Sequence, residues 1–397
     1  MSFRRAARAA RSGQFSSNRL IFSKPTLAAL VVLLAGLSLS CNNTDHGSPG
    51  PVPTHTAYIT LPTDGSVGQL TINGSTGAIT LGSKTPTTVG STPTGLALTP
   101  SQKFLYTANS RANTVSTFSV ASDGTLNLSG SITQTGAGPN AVAIDPTGKY
   151  LLVTNSLSDN ISVFSIDSGS GALSEVAGSP FFANNSPTSI VFTHSGQFVY
   201  VANPGIGMVT GFSFSSGVLT QTPGSPVFSG AGASAVAVDA GDLFLYVTNP
   251  SAVNPPPNQA VLGNLSGFSI DPATGNLTLV PGSPFTSNTG SIGPTALTVD
   301  PGGRFVYAVS SGTAASIWCF TITSTTGQLT PATNSPFSLA AGGLFVLIDP
   351  LGNFLYIGSE EDGVINGYTY NSSTGTPTLI DASPFKTGAP GSMVFLE

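Results

Sequence analysis

Glu360, Glu361 and Asp362 stand consecutively in a chain of 397 residues that has only 17 Asp or Glu and 12 Lys or Arg. Adjacent carboxylates are hard oxygen donors of the kind that holds Ca²⁺, although no regularly spaced calcium loop surrounds them. The other charges in a position to meet a ligand are Asp64, Lys84, Arg111, Asp159 and Lys386. Nucleophilic catalysis by a Ser-His-acid triad lacks its base, because His46 and His55 fall in an N-terminal tether and His194 falls in a turn. No G-x-S-x-G elbow, P-loop or Cys/His zinc spacing occurs, and imidazole ligands for a redox centre are missing. No cofactor other than Ca²⁺ is therefore suggested.

The elements that must position these side chains are repeats. An apolar strand, a tight turn, a Phe/Tyr-rich strand ending near Asn, a Ser/Phe strand and a G-x-L segment recur at 93–110, 139–156 and 187–204, and again from 234, 294 and 342. The anchor positions are Tyr58, Tyr106, Leu152, Tyr200, Tyr246, Tyr307 and Tyr356. Each unit holds four strand-length segments, as at 141–145, 150–155, 161–166 and 172–176, and no window has a helical period. Four strands per repeat of this size mark a propeller blade, so the expected fold is all-β: a seven-bladed β-propeller with four antiparallel strands per blade. The first unit lacks its innermost strand, and PGSMVFLE at 390–397 matches the missing one. The C-terminal strand is thus expected to close the ring over residues 57–397, burying Met393, Val394 and Phe395.

Strand order sorts the loops onto two faces. One takes the D-P-x-G turns at Asp145, Asp300 and Asp349, where Asp, Pro and Gly each favour a type I turn. His194, Lys103, Lys149 and Arg304 belong to this face. The other face gathers Glu360, Glu361, Asp362 and Lys386 from blade seven, Asp64 and Lys84 from blade one, Arg111 from blade two and Asp159 from blade three. This sector is the candidate ligand site. Blades four to six contribute instead a Pro-rich insertion at 250–264, expected to be a surface flap, and Ser-Pro-Phe links at Ser179, Ser283, Ser335 and Ser383. The Phe of each link is expected to tuck between blades.

The endings Tyr106-Thr107-Ala108-Asn109, Tyr200-Val201-Ala202-Asn203 and Tyr246-Val247-Thr248-Asn249 resemble the YVTN repeats of seven-bladed propellers. Residues 57–397 resemble the lactonase-type propeller family, which includes 6-phosphogluconolactonases. The resemblance implies hydrolysis of a sugar lactone, which needs a polarised carbonyl and an activated water. Arg111 would then be the electrophile and Glu360, Glu361 or Asp159 the base. A phosphorylated lactone would call for more cations than Arg111, Lys84 and Lys386. Similar repeats also occur in surface-layer proteins.

Residues 1–41 hold Arg4, Arg5, Arg8, Arg11, Arg19 and Lys24 and no acid, and 26–40 is an uncharged apolar run. A run of this length suits a secretory signal better than a membrane span. It ends at Cys41, as in the lipobox of bacterial lipoproteins, with Ser38 where Leu is usual. The expected layout is a signal over 1–40, a lipidated Cys41 opening a flexible tether over 41–56, and the propeller. The only other cysteine, Cys319, then has no disulfide partner. The acidic remainder would repel a polyanion, which excludes nucleic acid as a partner. The leading expectation is an exported, lipid-anchored module that binds a small molecule, a glycan or an envelope protein. A lactone hydrolase is the alternative, and a structural surface protein the third reading.

Overall fold

Every residue of Phe104–Asn109, Phe198–Asn203, Phe244–Asn249, Phe305–Ser310 and Phe354–Ser359 is buried. Successive side chains of a strand point to opposite faces, so a sheet built on such strands must be covered on both. The structure, a computed structural model, describes residues 53–87, 91–250, 263–286, 293–311, 314–339 and 342–396. These form seven antiparallel sheets, each of which is the cover for its two neighbours. From the axis outward, blades two to seven run in chain order and occupy 93–134, 139–175, 189–221, 235–279, 294–331 and 345–379.

Blade one joins the two ends of the chain. Its three outer strands cover 54–86, and its innermost strand is Met393–Leu396, which pairs Met393 with Ile59 and Leu396 with Thr56. The expected closure is therefore present. The first strand begins at Thr54 rather than at residue 57, because Thr54, His55 and Thr56 extend the ladder opposite Asn73, Ile72 and Thr71. His55 thus belongs to the propeller and not to the tether. The signal segment, Cys41 and most of the tether lie outside the described residues, as does most of the 250–264 insertion.

Seven apolar clusters hold the ring, one at each junction between blades. The anchor tyrosines cross these junctions. Tyr58, Tyr106, Tyr200, Tyr246, Tyr307 and Tyr356 donate their hydroxyls to the carbonyls of Gly124, Gly171, Gly275, Gly327, Gly375 and Gly77 in the following blade, at 2.6–2.9 Å. Leu152 breaks the series, and there Tyr150 packs beside Gly217 instead.

The Ser-Pro links do more than place a Phe. The hydroxyls of Ser179, Ser225, Ser283, Ser335 and Ser383 accept the backbone N–H of Val163, Gly211, Gly267, Cys319 and Gly367 in the third strand, at 2.7–3.1 Å. Beyond each Ser the chain pairs again with that strand, as Phe181 does opposite Ile161 and Phe337 opposite Ile317. Phe285 and Phe385 are buried, whereas Phe181 and Phe337 are half-buried. Ser225-Pro226-Val227 is a further copy with Val in place of Phe, which a Ser-Pro-Phe pattern misses.

Candidate functional site: the mouth of the axial channel

The innermost strands all begin at one end of the axis, where four of them open with a Pro or a Ser. Their starts enclose a cavity of about 470 Å³ to which all seven blades contribute, within the usual range for a small-molecule site. Around it runs a set of hydroxyl bonds between neighbouring blades. Thr60 donates to the carbonyl of Thr94 (3.1 Å), Thr94 to Asn140 (2.9 Å), Thr188 to Ser234 (3.1 Å), Ser234 to Thr295 (3.1 Å) and Thr295 to Gly343 (3.2 Å). These hydroxyls spend their protons on backbone carbonyls, so towards a ligand they act as acceptors. Asn140 and Ser392 also line the cavity and bring side chains able to donate.

Among the described residues Glu360 is the one charged side chain lining this cavity. It sits in the turn after Phe354–Ser359, where the Gly363 N–H closes onto its carbonyl and the carboxylate stays exposed. Glu361 and Asp362 follow on the same turn but do not line the cavity, and Asp362 accepts the Ser359 hydroxyl at 3.2 Å. Among the described residues no three His, Cys, Asp or Glu side chains converge as a metal site requires, the Glu360–Asp362 run included.

The other residues singled out by sequence are not brought together. Lys84 Nζ and Asp64 Oδ2 lie 2.6 Å apart as an exposed pair on blade one, of the kind worth at most about 1 kcal/mol. Asp159 has a positive φ, and its Oδ1 accepts the Ser186 N–H at 2.8 Å, so it braces the link into blade four. Asn113 does the same for Gly138 one blade earlier, which identifies Asp159 as a repeated turn residue. Arg111 and Lys386 are exposed on this face, and neither lines the cavity.

The opposite face bears out its turn chemistry. Asp145, Asp239, Asp300 and Asp349 each accept two backbone N–H groups four and five residues on. His194 Nδ1 lies 2.9 Å from Asp242, a blade-to-blade contact on the turn face. Burial would raise the Asp242 carboxyl, but the His194 and Ser195 N–H groups outweigh it and hold the carboxyl below its ordinary range. Cys319 is free and buried, and burial pushes its thiol up to about 12, away from reactivity at neutral pH.

The hydroxyl ring was the part sequence reasoning missed. Its signal is the recurrent Pro-Thr or Pro-Asn opening the innermost strand, at Pro93-Thr94, Pro139-Asn140, Pro187-Thr188 and Pro294-Thr295.

A family model described as lactonase, seven-bladed β-propeller, matches residues 52–192 and 263–395. The chain is similar in structure to a candidate 6-phosphogluconolactonase of Bacteroides fragilis, with 21% identity, 87% of this chain and 98% of that chain covered, and a TM-score of 0.73. It is similar also to a periplasmic gluconolactonase of Pseudomonas aeruginosa, at 17% identity, 87% and 99% coverage and a TM-score of 0.72. A protein of Lactobacillus plantarum gives 16% identity, 87% and 100% coverage and a TM-score of 0.73. Likeness at these identities speaks for the fold alone. No curated protein matches the sequence.

Proposed function

Because the chain belongs to the lactonase family of seven-bladed β-propellers, we propose that the mouth of its axial channel hydrolyses a sugar lactone. The observation that carries this reading is the position of Glu360, a lone carboxylate among the described residues that line the cavity, which otherwise bring hydroxyls, the Asn140 amide and apolar groups. A carboxylate there can take a proton from water as the water oxygen attacks the lactone carbonyl. Donors such as the Asn140 amide and the Ser392 hydroxyl are suited to the oxyanion that develops. Collapse of the tetrahedral intermediate breaks the bond from the carbonyl carbon to the ring oxygen. The departing oxygen takes the proton back from Glu360, and the ring opens to a hydroxy acid. Arg111 has no part in this scheme, since it does not line the cavity.

Turnover of a panel of sugar lactones by the purified protein tests the proposal. Glu360→Gln should lower kcat by about 10²–10⁴-fold, the usual worth of a positioned general base, with a far smaller change in KM. A variant as active as the wild type would remove Glu360 from the mechanism. A second reading, ligand binding without turnover, is favoured by one fact: among the described residues no Arg, Lys or His joins Glu360 at the cavity. Saturable lactone binding with no hydrolysis in the wild type would select it.

A further inference from the structure

Resting on the lactonase reading, we infer that the site takes an uncharged, polyhydroxylated lactone and rejects its phosphorylated counterpart. The inference comes from where every cation of the propeller lies. From residue 53 onward the chain has six Lys or Arg and two His, and all eight are among the described residues. None lines the mouth.

Their positions show that none is held in reserve nearby. Arg304 is bound to Asp300 and to the Ser372 carbonyl, and His194 to Asp242, on the face of the D-P-x-G turns. Lys103 and Lys149 occupy turns of that same face, and His55 lines a separate, mostly apolar cavity with Asp349 and Phe354. Lys84 is paired with Asp64. Arg111 and Lys386 remain on the mouth side, with no acidic partner among the described residues, and both stand outside the cavity.

A phosphate monoester carries close to two negative charges at neutral pH and is ordinarily held by Arg or Lys, or by a helix N-terminus. The described residues contain no helix. What the mouth does present is Glu360, with Glu361 and Asp362 on the same turn. A concave site lined by one sign of charge concentrates its field, so an incoming dianion meets repulsion with no compensating pair. The hydroxyl ring works the other way. Thr94, Thr188, Ser234 and Thr295 face a ligand as acceptors, which suits the several O–H donors of an unmodified sugar ring.

The test compares kcat/KM of the full chain for glucono-1,5-lactone and for its 6-phosphate ester. The expected result is a preference of about 100-fold or more for the uncharged lactone. That gap should narrow as salt rises from about 0.01 M to about 1 M, because screening shortens from about 30 Å to about 3 Å. Leu344→Arg places a cation at an exposed residue that lines the cavity, and it should raise turnover of the phosphate ester by about tenfold. Equal or better turnover of the ester by the wild type would overturn the inference and leave the lactonase reading intact. A preference indifferent to salt would overturn its electrostatic basis. Turnover of neither compound would remove the lactonase reading, and the inference with it.

Discussion

A tyrosine hydroxyl reaching from one blade to a glycine carbonyl of the next is the smallest unit holding the ring. Each such bond lies in a dry junction, so losing it costs the acceptor its partner as well as the bond. Tyr106→Phe should destabilise the protein by about 1–2 kcal/mol, read from urea unfolding. Proton binding gives an independent check. Burial, with the nearby Asp123 charge second, pushes the Tyr58 hydroxyl from 10.0 up to about 12, and burial moves Tyr106, Tyr200, Tyr246, Tyr307 and Tyr356 in the same direction. Above about pH 10 the unfolded chain releases tyrosine protons that the folded chain keeps, so the unfolding free energy falls as pH rises. The contribution of Tyr58 is complete below about pH 10 and is lost towards pH 12. The urea midpoint should therefore drop steeply above about pH 10, less so in Tyr58→Phe, and a flat profile would contradict it. The anchor positions were legible as a spacing of Tyr. Their partners were not, because each bond spans 65 or more residues.

At the scale of the strand and its links, glycine decides how closely blades approach. Gly171 has φ of +72°, and a Cβ there would stand 2.4 Å from the Phe104 ring of the preceding blade. Both the left-handed backbone and the ring oppose a side chain, so Gly171→Ala should cost about 2–4 kcal/mol, measurable as a lowered urea midpoint with unchanged m. Gly303, also at positive φ but with open space around it, is the control that isolates the backbone part. Four strands per repeat could be read from apolar runs and turn residues. The Ser-Pro link could be seen as a recurring motif, but its purpose could not. A serine hydroxyl taking over a backbone N–H where the outermost strand ends is a bond between segments 14–16 residues apart. Composition carries no trace of it.

For the whole molecule, closure matters most. Met393 and Phe395 pack in the cluster between blades seven and one, while Val394 and Leu396 pack in the cluster between blades one and two. One short strand therefore serves two of the seven junctions. Deleting residues 393–397 should cost about 1.5–3 kcal/mol for each side chain that loses full burial. That is a large part of a typical margin of 5–15 kcal/mol. The truncated chain should melt well below the full one and show a larger hydrodynamic radius, whereas equal melting would refute closure by this strand.

What the sequence determined by itself was the fold, down to the strand that closes it. Alternation of period two, turn residues and a repeat of constant kind are local properties, and a blade is a local object. Scarcity of charge belongs with them, since sheets covered on both faces leave few strand positions open to water. The site was decided only in three dimensions. Residues from Pro62 to Ser392 reach the mouth because the ring closes, most of them through the opening of their blade's innermost strand. Eight charged residues on one face looked like a sector, yet of these Glu360 alone lines the cavity, and Asp64, Lys84, Arg111, Asp159, Glu361, Asp362 and Lys386 lie outside it. Chain order within a blade sets radial distance strand by strand, but it does not say which residue of a loop reaches the mouth, as Glu360 does and Glu361 and Asp362 do not.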